Sequence, residues 1–304
     1  MGNTPAQDRF GLFIAALRLP FVSASALPYI AGSLLARPDF SGGLFLLGLL
    51  AAVATHLGAN LLNDIGDSRS GVDWQDLNSY GFFGGSKLIQ LGKLSERFYR
   101  HVALGCFSVA VVSVLGIAVM RNSFLPIIML LAIAVLAAAY SLPPLRLSYR
   151  YLGEPVIFLL FGPALVMGGY FIQTGIFPSV KAFQLSLPFG LLVMTILFAN
   201  EIPDYAVDRA SGKRTWVAFT GNDFAYLTYG VLLLASLIAI GFNIAAGILS
   251  RLSAASLLAI LPAVTGLNIL KHSYSDKWRC VNSSRATILI FTGIAMLIII
   301  DLLL

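Results

Sequence analysis

Nine long apolar stretches constrain the fold of this 304-residue sequence more than any other feature. A helix needs roughly 20 mostly apolar residues to cross the hydrocarbon core of a bilayer, and each stretch is about that long. Charged residues make up 11% of the chain and hydrophobic residues 58%, whereas soluble domains carry about 25% charged residues. The stretches run over approximately 10–36, 43–63, 101–120, 124–142, 155–174, 184–202, 224–247, 252–270 and 286–304.

We expect the apolar stretches to be helices, because a backbone in lipid finds no water and must satisfy its amide groups internally. The sequence does not show the alternating segments and turn signals of a membrane β-barrel. The first stretch is too long for a cleavable signal peptide and is expected to act as its own membrane signal. The sequence therefore predicts one all-α domain over residues 1–304, a polytopic membrane bundle of nine transmembrane helices.

Basic residues are distributed unevenly among the eight loops that nine helices would have. Fourteen of the twenty lysines and arginines fall in or beside the even-numbered loops, and cytoplasmic loops carry such an excess. We therefore expect the even loops and the N-terminus on the cytoplasmic side of the lipid bilayer, most simply a prokaryotic inner membrane. This bias accounts for the net charge of +6 without a nucleic-acid partner. The sequence does not point to an obligate protein partner.

A first acidic cluster, NDIGDSRSGVD (63–73), follows directly on the second apolar stretch. Asn63 and Asp67 are four residues apart, which places them one turn apart on the same face of a helix. The two glycines of the cluster indicate that the chain leaves the helix near Asp67 and turns back. Asp73 could then fold toward the same point. Asp64 stays unassigned between a ligand, a helix cap and a supporting residue.

A second acidic cluster, NEIPDYAVDRASGKR (200–214), follows the sixth apolar stretch. Asn200, Asp204 and Asp208 are each four residues apart, so a continuous helix would present all three on one face. Pro203 is expected to bend or end that helix. Both clusters lie at the predicted cytoplasmic ends of their helices, which predicts that they face one another.

Carboxylates at neighbouring helical positions repel each other, and the repulsion grows beside a low-dielectric wall. Protonation, pairing with Lys or Arg, or a divalent cation would each relieve it. Ligand sets made only of oxygen suit Mg²⁺ or another hard cation rather than zinc. Mg²⁺ in proteins uses one or two carboxylates together with substrate phosphates, so two facing clusters predict a two-metal clamp for a diphosphate. The predicted metal ligands are Asn63, Asp67, Asp73, Asp204 and Asp208.

In these motifs the sequence resembles the UbiA superfamily of intramembrane prenyltransferases. The pattern N-x-x-x-D-x-x-x-x-x-D begins at Asn63, and the pattern N-x-x-x-D-x-x-x-D begins at Asn200. Segments such as GGSKLIQLGKLS (84–95) and LSYRYLGEPVIFLLFGPALVMGGYFIQTG (147–175) look most like the 1,4-dihydroxy-2-naphthoate prenyltransferases of menaquinone synthesis. The stretch WQDLNSYGFF (74–83) departs from the acidic and basic residues usual there in that subgroup.

The resemblance implies the UbiA-type fold and an Mg²⁺-dependent transfer of an isoprenyl chain. The donor would be a polyprenyl diphosphate and the acceptor an aromatic quinone precursor, 1,4-dihydroxy-2-naphthoate in this subgroup. Diphosphate leaves, an allylic cation forms, and the electron-rich ring attacks it. In the naphthoate subgroup the prenyl chain takes the place of a carboxylate.

Several residues outside the two metal motifs are candidates for this chemistry. Cations aimed at the departing diphosphate stabilise its developing charge, and we expect Lys87 and Arg146 to act catalytically in this way. An aromatic face stabilises a cation without offering it a nucleophilic lone pair, and Tyr140 is the candidate wall for the allylic cation. The predicted substrate-binding residues are Arg18, Asn63, Asn200, Lys213 and Arg214.

Two of the polar residues lie inside apolar stretches. Arg18 occupies the first stretch, where charge is costly and more often functional. It is expected to attract an acidic acceptor or to snorkel to the cytoplasmic face. His56 lies in the second stretch and is expected to be a hydrogen-bonding residue of the core or a wall of the pocket.

Two alternatives remain open at this point. The same chemistry could serve 4-hydroxybenzoate, homogentisate or a glycerol-phosphate lipid as acceptor. A secondary transporter with cation-binding carboxylates belongs to a different class. Transporters place such groups near the membrane midplane, whereas here the carboxylates lie at helix ends on one face, which disfavours transport.

Overall fold

The structure is a computed structural model that describes residues 6–304, with side chains from residue 10 onward. Over this range the chain is all-helical. Its α-helices are α1 (Ala6–Leu17), α2 (Ser23–Leu34), α3 (Gly42–Ser70), α4 (Glu96–Arg121), α5 (Leu125–Ser141), α6 (Gly153–Phe161), α7 (Pro163–Thr174), α8 (Val180–Glu201), α9 (Tyr205–Ala210), α10 (Trp216–Thr220), α11 (Ala225–Ala245), α12 (Ile260–His272) and α13 (Lys277–Leu303). Short 3₁₀ helices span Leu19–Phe21, Arg37–Asp39, Val72–Trp74, Leu147–Tyr149 and Arg251–Ala259.

Seven helical segments in the described part of the chain are long and apolar enough to cross a membrane. An eighth span forms if the pair Phe10–Phe21 and Ser23–Leu34, bent by 49°, is counted as one. The predicted stretch 124–142 corresponds to α5, an apolar helix of 17 residues. The all-α membrane bundle is therefore confirmed, while the count of nine spans stays a prediction.

Helix α3 carries the first acidic cluster and extends further than predicted. The chain does not leave the helix near Asp67, and that detail of the prediction is wrong. The helix continues to Ser70 and ends at Gly71, whose φ of 85° lies in the left-handed region that glycine adopts without steric cost. A short 3₁₀ turn follows and contains Asp73.

The second acidic cluster is divided between two helices. Asn200 lies in the last turn of α8, Asp204 in a break of three residues, and Asp208 on the short helix α9. Pro203 lies within the break, where its missing N–H and its ring prevent a regular helix. The Asp208 N–H still donates to the Asp204 carbonyl at 2.8 Å. The single helical face expected for this cluster is therefore interrupted after Asn200.

Close backbone packing joins helices α2 and α7 in the centre of the bundle. A Cβ atom at Gly32 would lie 2.1 Å from the Val166 carbonyl oxygen, and one at Gly169 would lie 2.5 Å from the Tyr29 carbonyl oxygen. Lipid tails are as apolar as side chains, so membrane helices associate through such close contact rather than through hydrophobic burial. Tyr29 of α2 and Gly168 of α7 also line the internal cavity described below.

Candidate active site

A cavity of about 330 Å³ lies inside the bundle, with walls that are mostly apolar. Its polar side chains include Arg18, Asn63, Tyr140 and Asn200. Asn63, Tyr140 and Asn200 lie toward the C-terminal ends of α3, α5 and α8. These are the helix ends that the charge distribution predicts to be cytoplasmic, so the cavity has one polar mouth and an apolar interior.

In the first cluster, Asn63 and Asp67 lie one turn apart on α3 as predicted. The Asn63 side-chain amide donates to Asp67 Oδ2 at 2.9 Å, and its carbonyl oxygen accepts from Ser141 Oγ at 2.8 Å. The pair is thereby tied to the end of α5. Asp67 is also within electrostatic range of Asp73 and Asp208, so the two clusters do face one another.

Asp73 is held by the glycine-rich loop GGSK (84–87), which follows the first cluster in the sequence. Lys87 Nζ lies 2.7 Å from Asp73 Oδ1 and also donates to the Asp73 carbonyl oxygen at 3.2 Å. Gly85 has a φ of 72°, and a Cβ atom there would lie 2.9 Å from Asp73 Oδ2, so only glycine fits this approach. Burial raises the pKa of the Asp73 carboxyl above its ordinary value, although the Lys87 ammonium opposes that shift.

Lys277, at the start of α13, joins the two halves of the mouth. Its ammonium donates to Asp76 Oδ2 at 2.9 Å and to Asp204 Oδ1 at 3.1 Å. Asp76 belongs to the loop after the first cluster, and Asp204 belongs to the second cluster. The sequence carried no signal for this role beyond a basic residue in a cytoplasmic loop, because Lys277 is far from both carboxylates along the chain.

Lys213 lies among carboxylates from both clusters. Its ammonium is 3.3 Å from Asp208 Oδ2. Burial works against its charge, but Asp208, Glu201 and Asp67 outweigh that effect and hold the pKa of Lys213 well above its ordinary value. The same lysine partly offsets the rise that burial causes in the pKa of Asp208. The carboxylates of both clusters therefore favour the charged form of Lys213 at the point where the clusters meet.

Arg18 reaches the mouth beside the first cluster and pairs with Asp64. Its guanidinium lies 3.7 Å from Asp64 Oδ1 and 4.9 Å from the centre of the Phe21 ring. Asp64 Oδ2 accepts a hydrogen bond of 2.6 Å from Ser86, which is in turn bonded to Tyr99. This geometry makes Asp64 a supporting residue that connects Arg18 to the glycine-rich loop.

The remaining predicted residues are less closely gathered. The Arg146 guanidinium stacks on Tyr149 at 4.5 Å, with its buried Nε unpartnered. The Arg214 side chain is exposed and forms no ion pair with a described carboxylate, so its role in substrate binding stays a prediction. Asn200 donates to the Phe82 carbonyl at 3.1 Å and accepts from Ser284 at 2.7 Å, which occupies both ends of its amide.

The acidic groups of the mouth relieve their repulsion by pairing with lysines, one of the three routes expected from the sequence. Among the side chains of residues 10–304, no three from His, Cys, Asp or Glu converge on a single metal position. A buried oxygen of Glu201 lacks a hydrogen-bond partner, and buried oxygens of Asp64 and Asp208 have only the ion pairs to Arg18 and Lys213. A donor set made only of carboxylate and amide oxygens, with buried carboxylate atoms that still lack hydrogen bonds, suits a hard cation such as Mg²⁺, so the residues present fit that metal.

One further buried acid was missed by sequence reasoning. Glu154, at the start of α6, accepts a hydrogen bond from the Trp216 backbone N–H and thereby ties α6 to α10. Its second carboxylate oxygen is buried and unpartnered. A lone Glu after a loop has no spacing pattern that could have indicated this position.

The fold and this mouth define a polytopic membrane protein with a polar, carboxylate-rich entrance to an apolar cavity. The sequence profile of the UbiA prenyltransferase family matches residues 25–292. The chain belongs to the UbiA prenyltransferase family, and it is an integral membrane enzyme that transfers prenyl groups.

Sequence similarity to individual relatives and fold similarity to solved structures are consistent with this family membership. The chain is 29% identical to the 2-carboxy-1,4-naphthoquinone phytyltransferase of Synechocystis sp., over 76% of this chain and 73% of that protein. It is 26% identical to the 1,4-dihydroxy-2-naphthoate octaprenyltransferase of Bacillus subtilis, over 79% and 74%. A UbiA homolog from Aeropyrum pernix K1 has the same fold, with a TM-score of 0.70, 18% identity and coverage of 92% and 97%. A UbiA homolog from Archaeoglobus fulgidus bound to GPP and Mg²⁺ superposes with a TM-score of 0.63, 17% identity and coverage of 95% and 99%.

Proposed function

We propose that this protein transfers an isoprenyl chain from a polyprenyl diphosphate to 1,4-dihydroxy-2-naphthoate in quinone biosynthesis, as one domain over residues 1–304. The active-site mouth would face the cytoplasm of a prokaryotic cell. The observation that carries the proposal is the junction of the two acidic clusters around Lys213, at the entrance to an apolar cavity. The choice of naphthoate is supported by the relatives from Synechocystis sp. and Bacillus subtilis, whose names specify naphthalene-ring acceptors.

The diphosphate of the donor would bind at the mouth. Mg²⁺ held by Asp67, Asp73, Asp204 and Asp208 would neutralise the charge that develops on the leaving group. Lys213 lies between the clusters and supplies a fixed positive charge there, which is the arrangement that stabilises a departing anion. Lys87 and Lys277 hold the carboxylates in place through contacts of 2.7 to 3.1 Å.

The isoprenyl tail would enter the cavity, whose apolar walls exclude water from the reacting carbon. Tyr140 lies at the mouth on α5 and also lines the cavity. Its ring face would stabilise the allylic cation without trapping it. Water near that cation would give a prenyl alcohol instead of the transferred product, so a dry wall favours transfer.

The acceptor would enter beside Arg18, which lines the same cavity next to the first cluster. An aromatic acid carries a carboxylate, and Arg binds carboxylates through its planar fork of N–H donors. Asp64 lies 3.7 Å from one guanidinium nitrogen, and the N–H groups that Asp64 does not engage would be free to bind the acceptor. Arg18 therefore selects for an acidic acceptor.

A direct test incubates the purified full chain with radiolabelled geranylgeranyl diphosphate, Mg²⁺ and a panel of aromatic acceptors. We expect EDTA-sensitive labelled product with 1,4-dihydroxy-2-naphthoate and much less with 4-hydroxybenzoate or homogentisate. Product with 4-hydroxybenzoate alone would show that the proposed acceptor is wrong, while the proposed prenyl transfer from a diphosphate donor would remain supported. Failure with every acceptor would overturn the proposed function.

A further inference from the structure

His56 is a titratable side chain in the wall of the cavity that none of the roles above uses. It lies on α3, two turns before Asn63, and lines the cavity. Its ring packs edge-on against Phe161, with centroids 4.9 Å apart. An ionisable residue inside a membrane-spanning segment is costly to keep and is more often functional than not.

The hydrogen bonds around His56 assign its neutral tautomer. The Ser25 hydroxyl donates to the Val22 carbonyl at 3.0 Å, and His56 Nδ1 lies 3.0 Å from the same hydroxyl oxygen. A hydroxyl has one proton to give, so Nδ1 must donate to Ser25 and carry the ring proton. His56 Nε2 then presents a lone pair, and it has no hydrogen-bond partner in the described part of the chain.

His56 has uncharged neighbours and lines the same cavity as Arg18, the residue proposed to bind the acceptor. Ser25 on α2 and Phe161 on α6 are uncharged, and Arg18 is the cation close enough to act on the imidazole electrostatically. Arg18 and His56 line the same cavity. An aromatic acid held by Arg18 through its carboxylate would therefore place its ring and hydroxyl group toward His56.

We propose that His56 is the general base that accepts the hydroxyl proton of the aromatic acceptor through Nε2. This inference rests on the proposed function. Phenols become far stronger carbon nucleophiles when the hydroxyl proton leaves, and a positioned base contributes about 10²–10⁴-fold to rate. The base acts on the acceptor, so its role is separate from that of the carboxylates at the diphosphate.

The step balances in atoms and charge. The hydroxyl proton moves to His56 Nε2, the ring carbon that bears the carboxylate forms the new bond to the prenyl C1, and the C1–O bond breaks with its electron pair leaving on diphosphate. The oxygen that lost its proton becomes a ring ketone. Loss of the carboxylate as CO₂ returns its bond pair to the ring, and the resulting phenolate recovers the proton from His56.

A first test observes the tautomer without any activity. ¹⁵N-histidine NMR of the purified protein resolves three histidines, and His56→Asn identifies the signal of His56. We expect a protonated Nδ1 and an unprotonated Nε2, with the preference weakened in Ser25→Ala. A proton on Nε2 in the wild-type ring would overturn the assignment.

A second test compares His56→Asn with His56→Gln on acceptors of graded hydroxyl acidity, such as fluorinated dihydroxynaphthoates. Asn keeps an N–H near the Nδ1 position and deletes Nε2, whereas Gln reaches the Nε2 position without its basicity. We expect both variants to lose about 10²–10⁴-fold in kcat/KM with the parent acceptor. The loss should shrink as the acceptor hydroxyl becomes more acidic, while KM for the prenyl diphosphate stays unchanged.

The ratio of rates between two acceptors does not depend on how much of a variant has folded. If His56 had only a structural role, the variants would therefore lose turnover by the same factor with every acceptor. Such a uniform loss would overturn the proposal that His56 is the general base. Near-wild-type turnover in both variants would overturn it as well. Absence of product from the wild type with every acceptor would instead overturn the proposed function. His101→Asn is the matched control, since His101 is exposed on α4.

Discussion

Lys87 Nζ lies 2.7 Å from Asp73 Oδ1, and the two side chains are 3% and 7% exposed. The contact joins the glycine-rich loop to the first acidic cluster. A charge removed from water this completely is costly unless its partner stays in place. The pair therefore couples the local stability of the loop to the geometry of the mouth.

Lys87→Met should lower both stability and turnover. Breaking a buried ion pair from one side costs about 3–5 kcal/mol, because the remaining charge is uncompensated. We expect a lower unfolding temperature in detergent and at least a 100-fold lower kcat/KM. Thermal unfolding and the radiolabel assay measure the two effects.

The double variant Lys87→Met/Asp73→Asn separates these effects. Without the buried carboxylate there is no charge left to compensate, so its unfolding temperature should recover most of the loss. Its activity should stay low, because both groups serve the diphosphate site. A single variant as stable as wild type would contradict the buried pair.

Lys277→Met should reduce turnover by disconnecting Asp76 from Asp204. One ammonium contacts both carboxylates at 2.9 and 3.1 Å, so its loss releases the loop after the first cluster from the second cluster. We expect kcat/KM for the prenyl diphosphate to fall at least about 10-fold, because even one charged hydrogen bond contributes about 1.5–3 kcal/mol. Steady-state kinetics at varied prenyl diphosphate measure it.

Lys271→Met is the control for Lys277. Lys271 lies at the exposed end of α12, near the Tyr226 ring rather than a carboxylate. The Lys271→Met variant tests whether removing any basic residue on this face lowers kcat/KM as much as removing Lys277 does. Equal losses in both variants would mean that general surface charge, and not the bridge, attracts the substrate.

Asp76 should make the stability of the protein depend on acid pH. Partial burial tends to raise its pKa, but the Lys277 ammonium and the Asn78 N–H outweigh burial and lower it from 3.8 to about 2. A carboxylate with a depressed pKa stabilises the folded state above its unfolded pKa, and that contribution is lost as pH falls through the folded value. Between about pH 4 and pH 2, the wild type should lose up to about 1 kcal/mol more stability than Asp76→Asn, because solvent screens this ion pair.

Thermal unfolding of both proteins in the same detergent across that pH range measures the difference. The contribution is screened because the pair is partly exposed, so high salt should reduce it. Parallel curves for wild type and Asp76→Asn would show that the ion pair does not contribute.

The fold and the two clusters were predictable because membrane solvation imposes long apolar helices and because the Asn–Asp spacing repeats. The turn from Asn63 to Asp67 is local, and the structure has it as predicted. The end of α3 was misplaced by one turn because helical hydrogen bonds tolerate Gly66, and of the two glycines in the cluster only Gly71 adopts a positive φ. Local rules predict such features to within about a turn.

The lysine partners of the clusters could not be predicted in detail. Lys277 meets Asp76 across 201 residues of chain, and the pairing depends on how α13 packs beside α8. Likewise, Asp64 acquires its role from Ser86 and Arg18, which are brought to it by different segments. Tertiary packing, rather than spacing along the chain, decides which of several basic residues reaches a given carboxylate.

Arg18→Gln should weaken binding of an acidic acceptor and leave the donor site intact. The guanidinium lines the cavity and is held by Asp64 at 3.7 Å. A hydrogen bond to a charged group contributes about 1.5–3 kcal/mol, which corresponds to about a 10- to 150-fold higher KM for 1,4-dihydroxy-2-naphthoate. The KM for the prenyl diphosphate should change little.

The comparison that isolates the carboxylate uses 1,4-dihydroxynaphthalene, which lacks it. If Arg18 binds the carboxylate, Arg18→Gln and the wild type should have similar KM values for this acceptor, because it has no carboxylate for the guanidinium to bind. Asp64→Asn should raise KM for the acidic acceptor less than Arg18→Gln, since it loosens the guanidinium without removing it. Arg100→Gln, an exposed residue on α4, is the control. An equal rise in KM for both acceptors in Arg18→Gln would mean that Arg18 maintains the shape of the cavity entrance and does not bind the acceptor carboxylate.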